Sequence, residues 1–166
     1  TIQNMFIVTG FSQALNMERQ PRNALVGYRS GQKMTITLKD ETVLMLEDGE
    51  VKVGDIIQYA TDRTGDVVQI VRINQAGNSQ GFLQGGIWST CTFVGGTVKA
   101  VDASSMRINI QYTEKDEGVF SLSNTVYIYD SDKNLVRTGT AQDILKEDYV
   151  VTSMRYQCVR ELIIIR

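Results

Sequence analysis

The chain has 166 residues, of which 42% are hydrophobic and 22% charged, and its 17 basic and 19 acidic side chains give a formal net charge of −2. At about 150 residues per domain, this length predicts one domain or two small ones. The sequence contains no histidine, which excludes histidine-based triads and imidazole zinc sites. Its basic residues are scattered, which argues against a nucleic-acid partner, and its apolar runs are short, which argues against membrane insertion.

Short runs rich in Val, Ile, Thr and Tyr alternate between apolar and polar residues along most of the chain, a pattern typical of β-strands. Clusters of Gly, Asn and Asp separate them, as turns require. Nine strands are predicted, at residues 34–38, 42–46, 55–59, 67–73, 96–101, 106–112, 125–129, 149–153 and 161–165. One short helical turn is predicted at residues 140–145, with Thr140 as its N-cap.

An internal repeat indicates how many folding units the chain contains. Residues 42–48 resemble residues 125–131, and residues 53–59 with the following hairpin resemble residues 147–153 with theirs. Asp55 and Asp148 fall at the same corner, where a carboxylate can accept backbone N–H bonds. The repeat predicts an all-β protein of two small related β-barrel or sandwich-like modules in tandem, at residues 1–76 and 95–166, joined by a Gly-rich connecting segment at 77–94. Chance similarity between two β-rich stretches is the alternative.

Three motifs carry a resemblance to a known group of proteins. Residues 51–59 (VKVGDIIQY), 64–70 (TGDVVQI) and 95–102 (GGTVKAVD) resemble modules in the β-rich regions of Gram-positive surface proteins that carry S-layer homology domains. The resemblance extends from about residue 34 to residue 166, although the chain has no S-layer homology segment of its own. It implies a noncatalytic extracellular module of the bacterial cell surface. The expected partners are other surface-protein domains or a cell-wall polymer.

The chain opens with Thr rather than Met and has no apolar leader, so we expect it to be a piece of a longer protein.

Several motifs contain residue types that can bind a metal or carry out catalysis, and each also has a structural interpretation. Residues 130–134 (DSDKN) resemble the start of a calcium-binding loop, but Leu135 and Ala141 occupy positions that need Gly and Glu, so a hairpin turn is favoured. Cys91 and Cys158 form no CxxC motif. We expect them to be buried or half-buried free thiols or, alternatively, one disulfide. No serine or cysteine has an evident activating base. We therefore expect no enzyme activity, cofactor or metal.

Aromatic side chains are the remaining candidates for a binding role. Trp88 lies in a stretch without charged residues, from 81 to 98, and Phe82 lies in the same stretch. Tyr127 and Tyr129 share one face of a predicted strand. We expect Trp88 to be covered by apolar neighbours. The alternative is a carbohydrate or wall-polymer binding module that uses these four exposed aromatics.

Overall fold

The computed structural model describes residues 2–87 and 91–166. It is all-β, as predicted, and the chain divides into two units, Thr1–Gly77 and Asn78–Arg166. None of the helices among the described residues is long and apolar enough to cross a membrane.

Residues 2–77 of the first unit, which the structure describes, form seven strands and a 3-10 helix. Its strands are β1 (Ile2–Leu15), β2 (Pro21–Arg29), β3 (Gln32–Thr37), β4 (Met45–Leu46), β5 (Gly49–Glu50), β6 (Ile56–Thr61) and β7 (Val67–Asn74), and the 3-10 helix is Glu41–Leu44. Five of them form a sheet in the order β3-β2-β1-β6-β7. A parallel bridge between Leu38, the residue after β3, and Val67 of β7 links the two edges of the sheet and closes it into a barrel.

The described residues of the second unit, 78–87 and 91–166, form eight strands and a second 3-10 helix. The strands are β8 (Phe82–Gly85), β9 (Thr92–Asp102), β10 (Arg107–Gln111), β11 (Glu117–Ser121), β12 (Val126–Asp130), β13 (Leu135–Gly139), β14 (Tyr149–Arg155) and β15 (Cys158–Ile165), and the helix is Ala141–Asp143. Five of the strands repeat the order of the first barrel, as β11-β10-β9-β14-β15, and Ser121 pairs with Cys158 in parallel to close it. This connectivity is that of the five-stranded Greek-key barrel known as the OB-fold.

Local turn chemistry explains how consecutive strands reverse direction. Ser30 and Gly31 join β2 to β3 with φ angles of 51° and 76°, the left-handed pair of a tight hairpin. Between β9 and β10, Asp102 accepts backbone N–H bonds from Ser104 and Ser105. The predicted N-cap Thr140 is confirmed, and its backbone N–H donates to Asp143 at 2.7 Å.

Each barrel surrounds an apolar core of its own. In the first, Phe6 and Tyr59 are buried and their rings pack edge to face, with centroids 5.7 Å apart. In the second, branched aliphatic residues dominate, among them Ile108, Ile110 and Leu162. Because alternate residues of each strand face this core, the alternation in the sequence predicted most of these strands.

The strand predicted at 42–46 is present only in its last two residues, Met45 and Leu46, which form β4. Residues Glu41–Leu44 form a 3-10 helix, because the Asp40 carboxylate accepts the backbone N–H of Thr42 at 2.8 Å and caps a helical turn. The related segment 125–131 instead contains β12, which pairs in parallel with β15. The described part of the chain therefore has two short 3-10 helices where one helical turn was predicted.

Several strands lie where none was predicted. They are β1, β2, β5, β8, β11 and β13, and the sequence of each includes polar residues and glycine. In addition, β8 lies inside the predicted connecting segment and pairs with β9. Part of that segment therefore belongs to the sheet of the second unit.

Candidate functional site

The corner predicted at Asp55 is present in the first unit. The Asp55 side chain is buried, and its carboxylate accepts the backbone N–H groups of Lys52 at 2.9 Å and Ala76 at 2.8 Å. The Nε of Arg72 donates a third bond to it at 3.0 Å. A buried carboxylate is tolerated here because two backbone N–H groups and a guanidinium donate hydrogen bonds to it.

The same corner occurs in the second unit. The Asp148 carboxylate accepts the backbone N–H of Leu145 at 2.8 Å and a bond from Arg166 at 3.0 Å. The backbone bonds correspond as well, because Asp55 and Asp148 accept through their carbonyls from Val8 and Val98, each at 2.9 Å. Equivalent corners therefore connect equivalent strands in the two barrels.

The side chain of Arg72 links the first corner to the β4–β5 hairpin. Its Nη2 donates to the carbonyls of Gly49 at 3.1 Å and Glu50 at 2.8 Å, and its Nη1 pairs with Asp48. The guanidinium thus connects the barrel to the hairpin with most of its donors satisfied. The hairpin is held in place as one wall of a groove.

That groove, which we call the acidic groove, is an open cavity of about 450 Å³ in the first unit. Its lining includes Phe11, Asn23, Leu38, Glu41, Met45 and Glu50. Phe11 is 52% exposed and Met45 is 64% exposed, so both present apolar surface to solvent. The amide of Asn23 donates to Glu41 and links β2 to the 3-10 helix.

The chemistry of the acidic groove is suited to binding. Glu41 and Glu50 carry negative charge at its rim, and among the described residues that line it none is basic. The lining offers an aromatic ring, a thioether and carboxylate acceptors, which can hold a ligand that combines apolar surface with donor groups.

A second buried carboxylate, Asp66, ties together the loops of the first unit. Its side chain is fully buried and receives four side-chain donors, which are Thr37 at 2.7 Å, Asn16 at 2.9 Å, Thr64 at 3.0 Å and Arg22 at 3.2 Å. Burial alone would raise the pKa of Asp66, but these bonds outweigh it and lower the pKa to about 2. The carboxylate therefore acts as a structural anchor.

The aromatic residues singled out from the sequence lie in different environments. Phe82 is half-buried in β8, and a Cβ placed on Gly95 would lie 2.2 Å from its ring. Tyr127 is half-buried, and burial raises the pKa of its hydroxyl. Tyr129 is only 3% exposed and its hydroxyl donates to Asn134 at 2.8 Å, so its ring packs inside the unit. Trp88 lies outside the described residues.

The structure places the two cysteines on opposite sides of β14, and both are free. Cys91 is half-buried, as expected, but Cys158 is exposed, because it lies next to the turn of the β14–β15 hairpin. Thr92, the neighbour of Cys91, pairs with Met154 of β14, and Cys158 pairs with Arg155 of β14. Two strand spacings amount to about 10 Å. This exceeds the Cα separation that a disulfide spans, so the alternative of a disulfide does not apply to this structure.

The turn at residues 130–134 joins β12 to β13 as a hairpin, with the Asp130 carboxylate accepting the backbone N–H groups of Asp132 and Lys133. Within residues 2–87 and 91–166, no group of three or more Cys, Asp or Glu side chains is arranged to hold a metal ion.

We accordingly expect that EDTA leaves the melting temperature unchanged in a thermal unfolding experiment. A ligand that binds only the folded state would stabilise it. A fall of several degrees on adding EDTA would contradict this expectation.

Sequence reasoning missed Phe11, Arg72 and Asp66 as organising residues. The spacing Asp62-x-Thr64-x-Asp66 was a usable signal, because such side chains bond to the backbone of their own turn. No comparable local signal marks Phe11 or Arg72, whose partners are distant in sequence.

No protein-family model matches the chain, and no curated protein is significantly similar to it.

Proposed function

We propose that this chain is a noncatalytic structural or interaction module of a bacterial cell-surface or cell-wall-associated protein. The observation that carries this proposal is the repetition of one barrel and one Asp corner in both units. The buried carboxylates Asp55 and Asp66 are engaged by donors that hold loops together, which is a structural use of charge. The motifs that resemble Gram-positive surface proteins lie on this repeated framework.

The proposal is tested by labelling cells of the source organism with antibodies raised against the purified chain. A surface module should be labelled on intact cells and removed by external protease. Labelling that requires permeabilised cells would contradict the proposal.

A carbohydrate or wall-polymer binding module is the second candidate, and the half-exposed Phe11 beside Glu41 favours it. An aromatic face with neighbouring acceptors can stack on a sugar ring and accept its hydroxyl groups. Co-sedimentation with insoluble wall polysaccharide should then be lost in Phe11→Ala. Val68→Ala, which alters an exposed residue of β7, is the matched control and should bind normally.

A further inference from the structure

The tip of the β14–β15 hairpin is an exposed feature of the second unit, and its residues Arg155 and Tyr156 are here called the Arg–Tyr knob. Tyr156 and Gln157 form the turn with φ angles of 51° and 62°. Asn and Gly adopt this left-handed backbone at lower cost than Tyr and Gln do. Tyr156 is 86% exposed, and the guanidinium carbon of Arg155 lies 5.4 Å from its ring centre. The hairpin thus presents a cation stacked on an aromatic ring.

The charge of the knob is not neutralised by any carboxylate among the described residues of its own unit. Arg155 and Arg160 are both exposed, and neither forms an ion pair with a carboxylate in the part of the chain that the structure describes. An exposed tyrosine ring stacked with a guanidinium that has no carboxylate partner is typical of the residues that anchor protein interfaces.

The acidic groove of the first unit has the complementary composition. Residues 40–51, which supply one side of it, contain five acidic residues and no basic one. Phe11 and Met45 supply exposed apolar surface in the same cavity as Glu41 and Glu50. A volume of about 450 Å³ lies in the range of sites that enclose small ligands, and therefore has room for one aromatic ring and one guanidinium.

We propose that the acidic groove of one copy of this chain receives the Arg–Tyr knob of a second copy. The ring of Tyr156 lies against Phe11 and Met45, which removes exposed apolar surface from water. The guanidinium of Arg155 pairs with the carboxylates at the rim, where opposite charge selects the partner. The negative rim disfavours phosphate-rich polymers, because like charges repel.

The contact is heterologous, because it joins a groove on one copy to a different surface on another. Each copy retains one free groove or knob after pairing, so copies add one after another. A contact of this small area is weak, and it weakens further as salt screens the exposed charges. The inference rests on the proposed interaction role and names its partner.

The test is sedimentation velocity on the full chain at low ionic strength, up to about 1 mM, where weak contacts become populated. The wild type should show a mass that rises with concentration. The groove variant, Glu41→Lys with Glu50→Lys, should remain monomeric, and so should the knob variant, Arg155→Glu with Tyr156→Ala. Circular dichroism checks that each variant is folded.

Mixing the two variants gives the sharpest outcome. The groove variant keeps an intact knob and the knob variant keeps an intact groove, so the mixture should form a 1:1 dimer and nothing larger. A control with Lys133→Glu and Glu114→Lys, both on exposed turns outside the contact, should associate as the wild type does.

Three results would overturn the inference. They are a wild type that stays monomeric throughout, variants that associate as the wild type does, and a mixture that does not dimerise. A monomeric wild type that binds soluble wall polysaccharide in a Phe11-dependent manner would assign the groove to a sugar instead. These results are independent of surface labelling, which tests the proposed function itself.

Discussion

Replacing Asp55 with alanine should lower the free energy of unfolding of the first unit by about 3–5 kcal/mol, the usual cost of removing one partner from a buried ion pair. The substitution removes the buried carboxylate that accepts from the Nε of Arg72, whose side chain is almost fully buried, while Nη1 keeps its pairing with the exposed Asp48. It also leaves the backbone N–H groups of Lys52 and Ala76 without their acceptor. Urea unfolding monitored by hydrogen exchange of the β6 and β7 amides measures the loss.

The second unit supplies a matched control for this prediction. Asp148 occupies the equivalent corner, but its side chain is 13% exposed and its Arg166 partner is 33% exposed. Water can replace the lost bonds there, so Asp148→Ala should cost about 1–2 kcal/mol. Equal losses for the two substitutions would show that burial of the corner does not set its contribution.

The stability of the first unit should fall as the pH is lowered from about 4 to about 2, because Asp66 becomes protonated. Its pKa is lowered from an ordinary value of 3.8 to about 2 in the folded protein. A carboxyl group with a lowered pKa in the folded state stabilises that state above its unfolded pKa, and this contribution is lost as the pH falls through the folded pKa. The expected loss is about 2 kcal/mol.

Asp66→Asn tests this assignment, since an amide has nearly the same shape and does not titrate. The variant should be less stable at pH 7 and should lose less stability between pH 4 and pH 2 than the wild type. Asp102, which also has a pKa of about 2 but lies on an exposed turn of the second unit, provides the control. Asp102→Asn should leave the pH dependence of the first-unit amides intact, and an unchanged profile in Asp66→Asn would contradict the prediction.

The strands of β-branched, apolar sequence and the short caps could be predicted because the interactions behind them are local. Residues 149–153 and 161–165 contain consecutive β-branched and apolar residues, and both lie within observed strands. Thr140 caps a helical turn through Asp143, three residues away. The strand expected at 42–46 is shortened to Met45–Leu46 for an equally local reason, because the Asp40 cap favours a helical turn over residues 41–44.

The sequence by itself determined the all-β class, most strands and the two Asp corners, since apolar alternation and turn residues act over a few positions. Tertiary structure decided which strands pair, and so decided everything that joins distant residues. The bridge from Leu38 to Val67, the convergence of Asn16, Thr37 and Asp66, and the acidic groove all depend on closing a barrel. Closure brings the chain back on itself over tens of residues, and its free energy comes from a core shared by all five strands, which no local pattern encodes.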